Sequence, residues 1–541
     1  MVTQVPSGEL KPVEQSLIEH VCRGDWLDLL VGDEEVDEVT MRSWGDWRTC
    51  SATVIRDILR GLRAAQPDPQ GLRLRGAKIT GLLDLENLTT DVRLELKDCY
   101  LNEGVCARGA RLASLTLAGC QLEHPTKPPL DADRLTCGGL DLRGVRIIGH
   151  ADVGAVRLSR ARIGGSLECD GASLYNDSGP ALNANGLHVD QGIFLRREFT
   201  ASGSGRDGAV SVIGARIDGN FDCEGAKLHN SSGPALVADG LQIGGAFLRA
   251  GFTATGSSSD AAVILVGARI GGSLHCEGAE LHNGSGPALN ASSLQVGQVM
   301  LLSDTFTAIG GGMDVVSLAG AQVGGVLLFA PARLEHVAAD SHRLVVDGLT
   351  YAGVPLLVSV RAWLQMLRHG TPYYAAQPYQ QLAAGCRALG DERQVREVLI
   401  AQRNDQLART RIGWPERLWG WITRVTLGYG YKPWRALLFL AGLVALSCVL
   451  AVVLGSHGAL AQTDKTATPG RSCTVIQDVS VGLDLNLPIG QSVAREKCDL
   501  TTNSASTTAA FLTAVGWVLR LLAWAFAALF IAGFTSAVRK T

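Results

Sequence analysis

The chain has 541 residues, more than one ordinary domain holds, with 49 Lys and Arg against 52 Asp and Glu and a formal net charge of −3. Its 64 glycines follow no strict Gly-X-Y period, which excludes collagen, and the many Val, Ile and Leu residues exclude a disordered chain. The charge is uneven: residues 361–435 carry 12 basic and 5 acidic side chains, directly ahead of the first long apolar run.

The N-terminus, MVTQVPSGELKPVEQ, lacks the charged-then-apolar pattern of a secretory signal, so the first several hundred residues are expected to stay in the cytoplasm. Residues 1–70 read as a helical cap. VEQSLIEHVCRGDWLDLL and SATVIRDILRGLRAA have helical spacing, and QPDPQG closes the segment.

Residues 71–360 contain an internal repeat. ARIGGSLECDGASL starts at Ala161, ARIDGNFDCEGAKL at Ala215, ARIGGSLHCEGAEL at Ala268, and a worn copy, AQVGGVLLFAPARL, at Ala321. The spacings are 54, 53 and 53 residues. The long repeat is itself double, because LQIGGAFLRAGFTA aligns with ARIGGSLHCEGAEL when Ile243-Gly244-Gly245 is laid on Ile270-Gly271-Gly272. Each unit of about 27 residues alternates apolar and polar positions between Gly, Asn, Ser and Asp turns. One unit cannot bury its own apolar face, so the units must stack. The expected fold is a right-handed parallel β-solenoid of about twelve coils, about 55 Å long at the strand spacing.

Within the repeats, Cys169, Cys223 and Cys276 share one position, two coils apart. That separation exceeds disulfide reach and thiolate bridging by one zinc, so they read as small packing residues. His229 and His282 read as turn residues. Asp170, Glu224 and Glu277 form a row that could serve a sugar-active β-helix enzyme or simply face solvent. GSGRDG, from Gly203 to Gly208, matches a dinucleotide pattern but has no βαβ unit around it, so it reads as a variable turn. No metal-site, cofactor or catalytic motif stands out.

After the coils, QPYQQLAAGCRALGDERQVREVLIAQRNDQLARTR reads as two helices with Gly390 between them; Val395, Val398, Leu399 and Gln402 share one side of the second. Residues 424–440 follow. Their TLGYG differs by one residue from the TVGYG filter of potassium channels, but no span precedes it. Trp414, Trp419, Trp421, Tyr429, Tyr431, Lys432, Trp434 and Arg435 have the composition of a membrane-interface belt over anionic lipid. TLGYG then reads as an elbow leading into the membrane.

Residues 436–455 and 509–534 are long and apolar enough to span a bilayer. Cations flank both on the same side, which places the solenoid, both termini and the tail 535–541 in the cytoplasm and the loop 456–508 outside. A disulfide between Cys473 and Cys498, the only cysteines of that loop, would contribute about 3 kcal/mol; two free thiols are the alternative. Arg520 lies within the second span. A pore, a lipid head-group or a partner helix would satisfy it, as would a span that starts near Leu521.

RTCSATVIRDILRGL, QPYQQLAAGCRALGDERQVREVLIAQ, RLWGWITRVTLGYGYKPWRALLFL, and LDLNLPIGQ ahead of GWVLRLLAWAFAALFIAGF together resemble a group of bacterial pentapeptide-repeat-like β-solenoid membrane proteins. That resemblance covers nearly the whole chain and implies a solenoid followed by two transmembrane helices. Members are often labelled membrane-associated oxidoreductase, though the later coils here are longer and richer in glycine than strict pentapeptide repeats. The expected function is a membrane-anchored cytoplasmic scaffold with a protein partner on a solenoid face and anionic lipid at the inner leaflet. No cofactor is expected, and no nucleic acid, because the solenoid is net acidic. An oxidoreductase or other enzyme is the alternative, and a channel or transporter formed by homo-oligomerised spans is the third expectation.

Overall fold

In a computed structural model, the chain divides into two compact units, Met1–Val395 and Arg396–Thr541. The structure describes residues 10–30, 36–64, 66–337, 343–410, 413–429, 434–456, 460–462, 473–484, 498–500 and 507–540.

The first unit is a parallel β-solenoid of about eleven turns. Each turn carries four short strands, as in Val156–Arg157, Arg162–Ile163, Leu167–Glu168 and Ser173–Asn176. We number these positions faces 1 to 4. Face 1 is an 11-stranded sheet, face 4 is a 12-stranded sheet, and faces 2 and 3 belong to one 20-stranded sheet. Strands this short cannot hold together within one turn; pairing between turns does it.

The period of two turns has a volumetric cause on face 4. One inward column reads Ala172, Phe199, Ala226, Phe252, Ala279, Phe306, and the next reads Leu174, Ala201, Leu228, Ala254, Leu281, Ala308. Every turn thus holds one large and one small side chain, in opposite phase to its neighbours. A third column alternates Asn176, Gly203, Asn230, Gly256, Asn283, Gly310. Each buried Asn donates from Nδ2 to a turn carbonyl: Asn283 reaches Ser258 at 2.8 Å and Pro287 at 2.9 Å. The glycines opposite leave space for this, since a Cβ on Gly203 would sit 2.8 Å from the Ala209 Cα.

The turn that begins at Gln242 is one residue shorter at the corner between faces 2 and 3. Ile217 pairs with Ile243, but Asn220 pairs with Gly245, and the difference is taken up as a local register shift.

Both ends of the solenoid are covered, as exposed strand edges require. At the start lie helices α1 (Pro12–Arg23), α2 (Glu38–Ser43) and α3 (Ala52–Leu59). The N-terminal segment is not wholly helical, contrary to the sequence expectation. Leu27–Asp28 pairs with Leu74–Arg75 and Thr49–Ser51 with Lys78–Thr80, because the first turn has bare edges on faces 3 and 4. Buried Glu14 joins α1 to this edge by accepting from the Ser51 N–H at 2.9 Å.

At the other end the coil count falls short of twelve. Beyond Leu344–Val345 only single bridges form, at Thr350 and Leu356, because the chain turns into helix α4 (Val360–His369). This helix escaped the sequence reading. Its Trp363 is fully buried and lies edge-on to Phe329 and Tyr351, closing the core. Helix α5 (Gln377–Ala388) then satisfies the last backbone edge with side-chain amides: Gln377 Nε2 donates to the Leu349 carbonyl at 2.9 Å and Gln381 Nε2 to that of Tyr351 at 2.7 Å. The QPYQQLA stretch is therefore an edge-capping device.

The second unit contains most of α6 (Glu392–Arg409), then α7 (Trp414–Leu427), α8 (Trp434–Ser456), α9 (Val475–Asp484) and α10 (Thr507–Lys540). Two helices are long and apolar enough to cross a membrane, over Trp434–Leu454 and Ala514–Ala532. α10 runs through Lys540, so residues 535–540 continue the helix. Within the segment 456–508, α9 packs on α8: Ser447 Oγ donates to the Gly482 carbonyl at 3.0 Å, and a Cβ on Gly482 would sit 2.6 Å from the Cys448 Cα.

Candidate functional site

Face 2 carries the candidate site. Its inward residues, such as Leu112, Ile163, Ile217 and Ile270, are buried. Its outward residues stack in register as Thr89, Arg111, Thr136, Arg162, His188, Arg216, Gln242, Arg269, Gln295 and Gln322. From Arg111 to Arg269 arginine thus recurs on alternate turns, with a neutral polar residue or His188 between; at Gln322 the series ends. Two turns advance about 9.6 Å, which sets the spacing of the guanidinium groups along the face.

At its first turns the face opens into a groove of about 670 Å³, lined by Thr89, Arg111, Thr136, Arg162, His188 and Asp190 among others. The glycine corner explains the depth: beside Thr136 and Arg162 stand Gly138 and Gly164, which put backbone where side chains would otherwise fill the groove. Arg111, Arg162 and Arg269 are exposed and form no ion pair with a described residue. Arg216 is different, with Nε 3.0 Å from Asp218 Oδ1. His188 Nε2 lies 3.1 Å from Asp190 Oδ1.

His188, Asp190 and Asp218 bring ligand atoms within 4.8 Å of one another, as do Asp84, Glu86 and Cys106. A cation at the first set would have to displace Arg216 from Asp218. At the second, Arg56 holds Asp84 at 3.1 Å and Arg108 holds Glu86 at 3.1 Å. Both clusters are therefore surface ion-pair chains.

The acid row on the next corner is likewise engaged. Asp170 is held by Arg196 at 2.9 Å, Glu224 by Arg249 at 3.3 Å and Glu277 by His275 at 3.2 Å. His229 and His282 point outward on face 4, exposed and separated by one turn. The thiols of Cys169, Cys223 and Cys276 alternate with Leu195, Leu248 and Leu302 in a buried column. Burial pushes all three well above the ordinary thiol range, and Cys137 up to about 12. Such thiols remain protonated and are poor nucleophiles and ligands.

Among the described residues, three carboxylates in the coils, Asp239, Glu277 and Asp314, each have a buried oxygen without a hydrogen-bond partner, and Asp239 is the clearest to test. Asp239 Oδ1 is buried with no hydrogen-bond partner, and burial raises its pKa, opposed by the Val266 backbone and reinforced by Asp260. A folded-state pKa above the unfolded value means the folded protein binds more protons in that window. The penalty is thus fully present above the folded pKa and vanishes below the unfolded one. Asp239→Asn is expected to raise the denaturant midpoint at neutral pH and to leave it unchanged in acid. Midpoints of both proteins across that range check the sign.

In the second unit, Trp414, Trp419, Trp421 and Trp434 are exposed, while Tyr429 and Arg435 are half-buried. Tyr431 and Lys432 lie outside the described residues. α7 ends on Gly428 in the left-handed region, and its N–H bonds back to the Thr423 carbonyl. Tyr429 Oη donates to Asn404 Oδ1 at 2.9 Å. Thr426 to Tyr429 therefore form a helix end and a turn. Arg520, half-buried on α10, forms no ion pair with a described residue. Cys473 is disulfide-bonded; the Cys498 side chain lies outside the described residues.

The arginines of face 2 were not singled out from the sequence, yet a signal was there. Each follows the alanine of a repeat, in Ala110-Arg111, Ala161-Arg162, Ala215-Arg216 and Ala268-Arg269. Comparison with protein-family models, with curated proteins and with solved structures finds no match.

Proposed function

We propose that the protein is a membrane-anchored scaffold whose solenoid holds an elongated acidic partner along face 2. The observation that carries this reading is the pair Arg111 and Arg162, exposed, without an ion-pair partner among the described residues and lining one groove. Their spacing of about 9.6 Å selects a partner with anionic groups repeating at that distance. A polyproline-II segment of a partner protein, with an acidic residue at every third position, meets it at about 9.3 Å.

Anchorage is supported by the surfaces of α8 and α10. Only 11% of each apolar window is buried within the protein, and Leu437, Leu438, Leu446, Val449, Trp517, Leu521 and Trp524 are exposed. Water would not tolerate that area, whereas lipid covers it. The basic residues before α8 favour an orientation with the solenoid and both termini in the cytoplasm and the segment 456–508 outside.

The test is purification of the full-length protein from membranes, with co-purifying proteins identified by mass spectrometry. Arg111→Gln/Arg162→Gln is expected to weaken retention of an acidic partner by at least about tenfold, as loss of two interfacial charges implies. Arg206→Gln, exposed on a different turn, is the control. Equal retention by all three proteins would remove face 2 as the docking surface.

A further inference from the structure

The junction of α7 and α8 contains a cavity of about 470 Å³, lined by Arg424, Val425, Trp434, Arg435, Leu438 and Phe439. Its composition is divided. Arg424 and Arg435 supply two guanidinium groups, and neither forms an ion pair with a described residue. Leu438 and Phe439 stand three and four residues after Arg435, so all three share one side of α8. Trp434 opens the apolar window that runs to Leu454. The cavity therefore has a cationic mouth at the first turn of α8 and an apolar wall one turn further along. The first-turn N–H groups, which have no partner within the helix itself, add the positive end of the helix dipole.

From this arrangement we propose a built-in site for one anionic phospholipid, an inference that rests on the membrane-anchored reading of α8. The phosphate is held between Arg424 and Arg435. The Trp434 ring lies at head-group level, and the first methylenes of an acyl chain run along Leu438 and Phe439. A free phosphate ion would satisfy the two arginines but leave Leu438 and Phe439, 59% and 42% exposed, uncovered. A lipid satisfies both ends. The site differs from a general polybasic attraction because it counts lipids, with one molecule in one cavity.

The experiment places the full-length protein in phosphatidylcholine nanodiscs doped with phosphatidylglycerol. Native mass spectrometry then counts the phosphatidylglycerol retained after release. One retained molecule is expected, preferred over phosphatidylcholine. Arg424→Gln/Arg435→Gln is expected to reduce that preference about thirtyfold, from a factor of about five for each cation at a membrane surface. Arg417→Gln, an exposed cation of α7 outside the cavity, is expected to leave it unchanged. An equal loss in Arg417→Gln, or displacement of the retained lipid by inorganic phosphate, would overturn the site. Alkaline extraction of native membranes separates the two levels. A protein that resists extraction but shows no lipid preference removes the site alone, whereas a protein that is extracted removes the anchored reading itself.

Discussion

Gly219→Ala is expected to destabilise the solenoid locally by about 4 kcal/mol, at the upper end of single-substitution effects. Gly219 lies in the strand Arg216–Asp222 at the corner between faces 2 and 3, where a Cβ would overlap the carbonyl oxygen of Gln191 in the turn below. That carbonyl is fixed by strand pairs on either side, Val189 with Ile217 and Ile193 with Phe221. It cannot withdraw without breaking one of them. The same corner recurs as Gly138, Gly165, Gly244, Gly272, Gly297 and Gly324, each facing a carbonyl of the preceding turn. The Gly-Gly pairs are thus a stacking requirement rather than a ligand cradle. Hydrogen exchange followed by mass spectrometry is the measurement, because solenoid turns contact only their neighbours and open locally. Amides of the turns around Gly219 should exchange about a thousandfold faster, while turns near Leu83 stay protected. Gly284→Ala is the control: it has open space around its Cβ position and should change nothing measurable.

Phe252→Ala is expected to cost about 3–5 kcal/mol, the range for emptying a fully buried aromatic site. The ring is wholly buried and sits in an inward column between Ala226 and Ala279. Those alanines cannot expand into the void, so a cavity remains. The alternation of large and small residues makes a sharper test possible. Ala254 occupies the neighbouring column of the same turn, between Leu228 and Leu281. The earlier turns already stack Leu101, Leu122, Ile147 and Leu174 in that column without a phenylalanine. Phe252→Ala/Ala254→Leu converts the turn to that pattern and is expected to recover about half of the loss. Thermal or denaturant unfolding of the full-length protein in detergent checks it. A double variant no more stable than Phe252→Ala would mean that the alternation is incidental.

Both outcomes bear on the face 2 groove. Its arginines are spaced by the same period of two turns that the Phe and Ala columns impose on face 4. From Arg162 to Arg269 the charge ladder shares that period, whereas Arg111 stands in earlier turns that lack the alternation; a loss of stacking at Gly219 would disturb Arg216 first.

The amino-acid sequence by itself determined the solenoid, the double repeat, two helices long and apolar enough to cross a membrane, and the turn at Gly428. Each rests on local periodicity or on chain length against bilayer thickness, which one strand of text carries in full. The tertiary structure decided what depends on partners distant in the chain. The cap strands Leu27–Asp28 and Thr49–Ser51 exist because the first turn leaves edges to pair, and α4 exists to cover Phe329 and Tyr351. The turn count dropped to about eleven for the same reason: the last apolar stretch serves the cap. The groove came from stacking, which brings Arg111 and Arg162 onto one surface although 51 residues separate them. Repetition writes that alignment into the sequence, but only the register of the turns, set by volume in the core, fixes which positions face solvent together.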